Sequence, residues 1–249
     1  MSGLVALDPA RHETVRFDAA AAGRGRAIAQ LGRGEIALAA CDMPLCFAKD
    51  GGTGRFNLVA LMALGGDNLF AGAGGFHATY MPQAVLLGAF RLAEGGSGLA
   101  IDPADASIGA RGAALIERGA VTSLVAELRA ALQRLVEDVA AARALAEALA
   151  RHRLLRPWRL VLRRAEAREH ALDGLYTIDE EALAALDEAA VVALHRDGSL
   201  AAAAVIAASR QQLERLRQLH DAAQPDARIV VGELRLTSEP RARLDNHVI

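Results

Sequence analysis

"LCFAKDGGTGRFNLVALMAL", residues 45–64, sets two apolar runs on either side of a glycine-rich turn. That is the signature of an antiparallel hairpin with a longer glycine loop. Pro44 resets the chain before it, and "GEIALAACD" (34–42) reads equally as a strand or a short helix. After it, "GGDNL" (65–69) and "AGAGG" (71–75) mark two more turns, "GFHATY" (75–80) gives a short strand, and Pro82 suits the first turn of a helix carrying "QAVLLGAF" (83–90). A second hairpin is expected from "WRLVLRR" (158–164) and "HALDGLYTI" (170–178). Strands that come in hairpins, rather than alternating with helices, predict an α+β fold and disfavour a parallel doubly wound sheet.

Between the hairpins, Val121, Leu124, Val125, Leu128, Leu132, Leu135, Val136, Val139, Leu145, Leu149 and Leu155 recur at three- and four-residue steps. This predicts a long amphipathic helix, with at most one break, stopped at Arg156 by Pro157. Thr177, three residues before Glu180, has capping-box spacing and opens the helix "DEEALAAL" (179–186). Asp187 caps another helix that Gly198 ends, and Ser199 begins a third that runs to about His220. Residues 95–120 read as loop with one strand, "GLAID" (98–102), and "HETVRF" (12–17) is a candidate strand. "DARIVVGELRLT" (226–237) reads as a strand added to a sheet edge, its own or a partner's, before an exposed tail. The domain expectation is one α+β unit over 1–225. It has a β-rich sublobe at about 1–110 and a helical sublobe at about 111–225, followed by a strand or tail extension over 226–249.

A chain of 249 residues can bury a large core without disulfides or metals. The net charge is −2, Lys49 is the only lysine, and the arginines are mixed with acids along helices, so nucleic acid is not an expected partner. The first residues lack the basic flank and long apolar run of a signal peptide, and "SLAAAAVIAAS" (199–209) is too short to span a bilayer. The expectation is a soluble, cytoplasmic protein with no membrane span. Cys41 and Cys46 are expected as reduced, partly buried thiols, because their spacing matches neither a redox pair nor a metal site.

The glycines do not make a phosphate cradle. Lys49 precedes them where a phosphate-binding loop needs a following lysine, and His77 stands where a dinucleotide fingerprint needs its third glycine. His77 and Tyr80, three apart beside Pro82, are a candidate ligand or acid–base pair, with His12, Asp67 and Asp42 the nearby candidates to join them. Asp67-Asn68 is most simply a turn, and Glu180 and Glu181 suit a helix's first turn. Ser97 has no nucleophile-elbow context.

Several short motifs in one order carry a family resemblance: His12 after "LDPAR", Pro44 and Phe47 in "DMPLCFAKD", "DNLF" (67–70), Tyr80-x-Pro82 with Phe90 eight residues later, "LLRPW" (154–158), "GLYTIDEEAL" (174–183) and "DGSL" (197–200). From about Leu7 to Leu219 the chain resembles the SapC family, bacterial proteins whose name comes from association with surface-layer proteins. The resemblance implies the company of outer-membrane receptors and flavin-dependent halogenase-like enzymes, and brings no established reaction. It also marks departures. Leu86-Leu87-Gly88-Ala89-Phe90 stands where relatives carry Arg-Arg-Tyr-Pro-Phe, Met43 replaces a tyrosine before Pro44, and Phe76 replaces a tryptophan. With two cations gone, a fork for a carboxylate or phosphate is missing here.

We therefore expect a non-enzymatic accessory or adaptor protein that binds a peptide or partner protein, beside a peptide-modifying or halogenase-like enzyme, with no cofactor and no metal. Its candidate binding residues are His12, Asp67, Asn68, Phe70, His77, Tyr80 and Pro82. The alternative is a metal-dependent peptide-modifying enzyme using His12, His77 and Tyr80. A subunit of a homo-oligomer, offering an apolar face of the long helix, is the third reading.

Overall fold

The computed structural model describes residues 3–72, 74–93, 98–164 and 170–235. Its centre is a six-stranded antiparallel sheet built from β1 (Ile28–Gln30), β2 (Leu45–Lys49), β3 (Phe56–Leu61), β4 (Leu155–Arg164), β5 (His170–Ile178) and β6 (Ile229–Arg235). The order across the sheet is β6-β4-β5-β2-β3-β1. Both expected hairpins are present: β2 and β3 pair from Leu45↔Ala60 to Lys49↔Phe56, and β4 and β5 from Leu155↔Ile178 to Leu162↔His170. They are joined side by side where Tyr176 faces Phe47 and Leu175 faces Ala48. The sheet thus draws three strands from either side of residue 110, and the α+β class holds.

The β4–β5 ladder slips between Trp158 and Leu160, where Arg159 faces both Asp173 and Gly174. Gly174 has φ of 79°, the left-handed conformation that a glycine bulge needs. Arg159 pairs with Asp173 at 3.0 Å across the bulge. β6 pairs only with Arg159–Arg164, so Pro157 lies where β4 is outermost among the described strands, a position that tolerates a residue without an N–H.

Helix α1 (Ser123–Arg151) is unbroken over 29 residues, about 43 Å at 1.5 Å per residue, and serves two cores. Val125, Leu128 and Leu132 pack into a cluster with Phe17, Leu87, Phe90, Leu99, Ile101 and Leu115. Ala142, Leu145, Ala146 and Leu149 join the main core, against the sheet. Arg143 and Gln30 both donate to the buried Asn57 Oδ1 of β3, at 3.2 and 3.3 Å, and this fixes the helix over the strands. Phe17 and Phe90 meet edge to face in the smaller cluster, with ring centroids 4.9 Å apart.

The helix ends earlier than the periodicity suggests. Arg153 turns left-handed (φ 57°), Leu154 N donates to Leu149 O at 2.9 Å and Arg153 N to Ala150 O at 3.0 Å. These two bonds form a Schellman motif, which stops the helix at Arg151 and sends Leu155 into β4. Val121 and Val136, read as core positions, are exposed.

Four further α-helices follow among the described residues: the short Glu180–Ala184, then α2 (Glu188–Arg196), α3 (Ser199–Ser209) and α4 (Gln212–Ala223). The single helix expected from Ser199 is therefore two, broken at Arg210-Gln211. The capping-box reading of Thr177 is also corrected. Thr177 is a buried residue of β5, and Asp179 caps the helix Glu180–Ala184 by accepting from Ala182 N at 3.1 Å. Asp187 caps α2 as expected, through Ala190 N at 2.8 Å. "GEIALAACD" resolves as a 3-10 turn, Arg33–Glu35, followed by a short helix, Ile36–Ala39. The stretch read as loop with one strand holds, besides Leu99–Ile101, the two-residue strands Ile108–Gly109 and Ala113–Ala114, each paired with Arg16–Phe17, and Ile116–Glu117, paired with Ala120–Val121. Cys46 is buried, with its thiol pushed up by desolvation, and Cys41 is exposed. The expected tail over 238–249 lies outside the described residues. No single helix among the described residues is long and apolar enough to cross a membrane.

Candidate functional site

The segment from Asp67 to Phe90 forms a small hairpin (Ala71–Gly72 with Gly75–Phe76) that packs Phe70 into the main core and Phe76, Tyr80 and Met81 against it. Asn68 is buried. Its Nδ2 donates to Gly23 O at 3.0 Å and its Oδ1 accepts from Phe70 N at 2.9 Å, so it pins the loop to the chain near Gly23. Phe70 is fully buried, lies 5.8 Å from Phe76, and carries the Arg215 guanidinium 6.0 Å from its ring centroid. Asp67 and His77 are exposed, and the His77 ring lies against Gly72.

Two buried carboxylates hold the Thr79–Gln83 turn. Glu35, 4% exposed, accepts from Tyr80 Oη at 2.9 Å and Gln83 N at 2.8 Å with Oε1, and from Gly32 N at 2.7 Å with Oε2. Asp42, 2% exposed, accepts from Thr79 N and is paired with Arg215 of α4. Burial by itself would raise the Asp42 carboxyl, but the Thr79 hydrogen bonds and the Arg215 charge outweigh it and hold the group below the usual carboxylate range. Tyr80 moves the other way: desolvation and the adjoining Glu35 carboxylate push its phenol well above the ordinary tyrosine value.

A third carboxylate comes from the middle of α1. Asp138 accepts from Gly34 N at 2.9 and 3.0 Å through its two oxygens. It fits only because Gly32 has no side chain, since a methyl there would fall 2.1 Å from Asp138 Oδ2. Glu35, Gln83, Ala131, Arg134, Leu135 and Asp138 line an open cleft of about 370 Å³ between this turn and α1. Its acids are already engaged by backbone N–H groups, which leaves Arg134 on the rim as an exposed cation.

The candidate residues are therefore only partly gathered. Asn68, Phe70, Tyr80 and Pro82 belong to one buttressed segment, with Asp67 and His77 on its outer side. His12 sits in a local turn, accepting from Asp8 N at 2.9 Å through Nδ1, and among the described residues shares no hydrogen-bond partner with His77 or Tyr80. Among the described residues, no group of three or more His, Cys, Asp or Glu lies close enough to hold a metal ion.

Sequence reasoning missed Glu35, Asp138 and Arg215, and it named Asp42 only as a candidate ligand beside His77 and Tyr80, whereas the fold uses it to hold Thr79 and Arg215. The one local signal was Gly32-x-Gly34-Glu35, glycines packed around an acid, which marks a close approach by another side chain. The run Leu86-Leu87-Gly88 also has a physical role. Leu87 is core, and Gly88 leaves room for Arg26, whose Nη2 would lie 2.5 Å from a methyl at that position. Arg26 pairs with Asp105 at 3.2 Å, so a guanidinium does sit beside this run, supplied from a distant part of the sequence and already engaged.

No curated protein and no solved structure matches the chain. The family model described as SapC matches residues 7–216, so the chain belongs to the SapC family.

Proposed function

We propose that this chain is a non-enzymatic accessory protein that binds a peptide or a partner protein through the outer side of the Asp67–Phe90 segment, beside a peptide-modifying enzyme. The observation that carries this reading is the direction in which the ionisable groups of the turn are tuned. A general acid or base works best with a pKa near the operating pH. Here Asp42 is held further below neutrality and Tyr80 further above it, so each keeps one protonation state and serves as a hydrogen-bonding strut. The result is a turn fixed from beneath by Glu35, Asp42 and Asn68, with Asp67, His77 and Thr79 turned outward. Rigidity of this kind lowers the ordering cost of association.

Variants Asp67→Arg and His77→Ala change the outer side without touching the buried struts. Captured from lysate of the source bacterium and read by mass spectrometry, the wild-type chain should retain a specific peptide or protein that both variants lose. Equal retention by all three, or none by any, would sink the proposal.

A further inference from the structure

β6 closes one edge of the six-stranded sheet, as β1 closes the other. The family match ends at Leu216, within α4, so β6 and the turn before it follow the matched region. Six register pairs join β6 to β4, from Arg159↔Arg235 to Arg164↔Ile229, and among the described residues β6 pairs with no other strand. At its start, Ile229 is buried and its N–H donates to Asp221 Oδ1 at 2.9 Å, while Ala227 O bonds His220 Nε2 at 3.2 Å. The intervening Pro225–Ala227 is a single 3-10 turn after α4. β6 is thus anchored at Ile229 and then runs along one edge of the sheet, paired with β4, the arrangement by which a peptide adds itself to a sheet.

We propose that the outer edge of β4, Arg159–Arg164, is a strand-docking site that the chain's own segment Ile229–Arg235 occupies in cis. An extended, proline-free segment of the same kind enters it only by displacing β6. The edge needs such a cover because unpaired N–H and C=O groups along a strand otherwise template association between molecules. The tether makes the cis strand a strong competitor, since a short linker gives millimolar effective concentration and an advantage of about 100-fold or more over a free peptide. This site is separate from the Tyr80 surface and does not depend on anything binding there.

The test uses the full chain carrying a specific protease site between Gln224 and Pro225, cut after folding. The probe is a fluorescent synthetic peptide of residues Pro225–Arg235. One equivalent of peptide should enter the cut protein, and the uncut protein should take it up at least about 100-fold less readily. The peptide with Val231→Pro and Gly232→Pro, which removes a ladder donor whichever residue supplies it, should not enter. Hydrogen exchange on the unmodified chain gives a second reading: β6 amides should exchange at least about 100-fold faster than those shared by β5 and β2, as expected for local opening. The proposal is overturned if the cut chain keeps its own segment against excess peptide, if the Trp158 near-ultraviolet signal disappears when the segment leaves, or if β6 exchanges at the rate of the sheet centre.

Discussion

At the scale of single residues, the candidate surface depends on acids that carry no local signature of burial. Asp42 follows an ordinary helix and precedes Met43-Pro44, and only the fold brings Thr79 and Arg215 to it. Because its folded pKa lies below the unfolded value near 4, its contribution to stability is full above that value and is lost as pH falls through the folded one. Asp42→Asn should therefore cost about 2 kcal/mol at neutral pH, the scale of a charge-assisted hydrogen bond, and should flatten the stability profile below about pH 4. Urea titrations of both proteins between pH 2 and 7 check this, and parallel profiles would refute it. Thr177 shows the opposite case. It is fully buried in β5 and its hydroxyl has no partner among the described residues, so Thr177→Val keeps the β-branched shape and removes an unmet polar group. The expected gain is about 1 kcal/mol, or about 2–4 °C in Tm by calorimetry. The sequence reading gave Thr177 a capping role because its spacing to Glu180 fits. The strand won because β5 runs one residue further, to Ile178, and Asp179 was available to cap.

At the scale of elements, legibility followed locality. Both hairpins could be read because apolar runs flank their turns, and α1 because its period repeats over many turns. Its end could not be read, because the stop is neither glycine nor proline but Arg153 in the left-handed region. For a non-glycine residue that conformation costs about 1–2 kcal/mol, which the two Schellman bonds and the return of Leu154 to the core offset. Arg153→Gly should accordingly match the wild type or exceed it by up to about 1 kcal/mol, whereas Arg153→Val should fall about 1–2 kcal/mol below it. Chemical denaturation of the three proteins distinguishes them, and a destabilising glycine would show that the arginine side chain, not the turn, sets the helix end. Strand order was illegible for a related reason. The β5–β2 contact joins parts of the chain more than a hundred residues apart through Leu175 and Tyr176, and no local pattern specifies that meeting.

At the scale of the whole molecule, α1 decides whether the two clusters act as one. Its first half supplies Val125, Leu128 and Leu132 to the Phe17–Phe90 cluster and its second half supplies Leu145 and Leu149 to the sheet's core, without a break between them. Asp138, near its middle, is also hydrogen-bonded to the Gly32–Glu35 turn that buttresses Tyr80. Loss of the smaller cluster would leave half of a long helix without a packing partner, so the two clusters are expected to unfold together. Trp158 is the only tryptophan and is buried in the main core, so its fluorescence reports that core alone, while far-ultraviolet circular dichroism reports the entire chain. Leu128→Ala, a truncation confined to the smaller cluster, should cost about 2–5 kcal/mol. The denaturation midpoint seen by Trp158 should shift by the same amount as the midpoint seen by dichroism, because coincident transitions are the mark of a single cooperative unit. A Trp158 midpoint that stayed in place while the dichroism transition split would mean that the clusters unfold separately, and that the Thr79–Gln83 turn is free to open without the sheet.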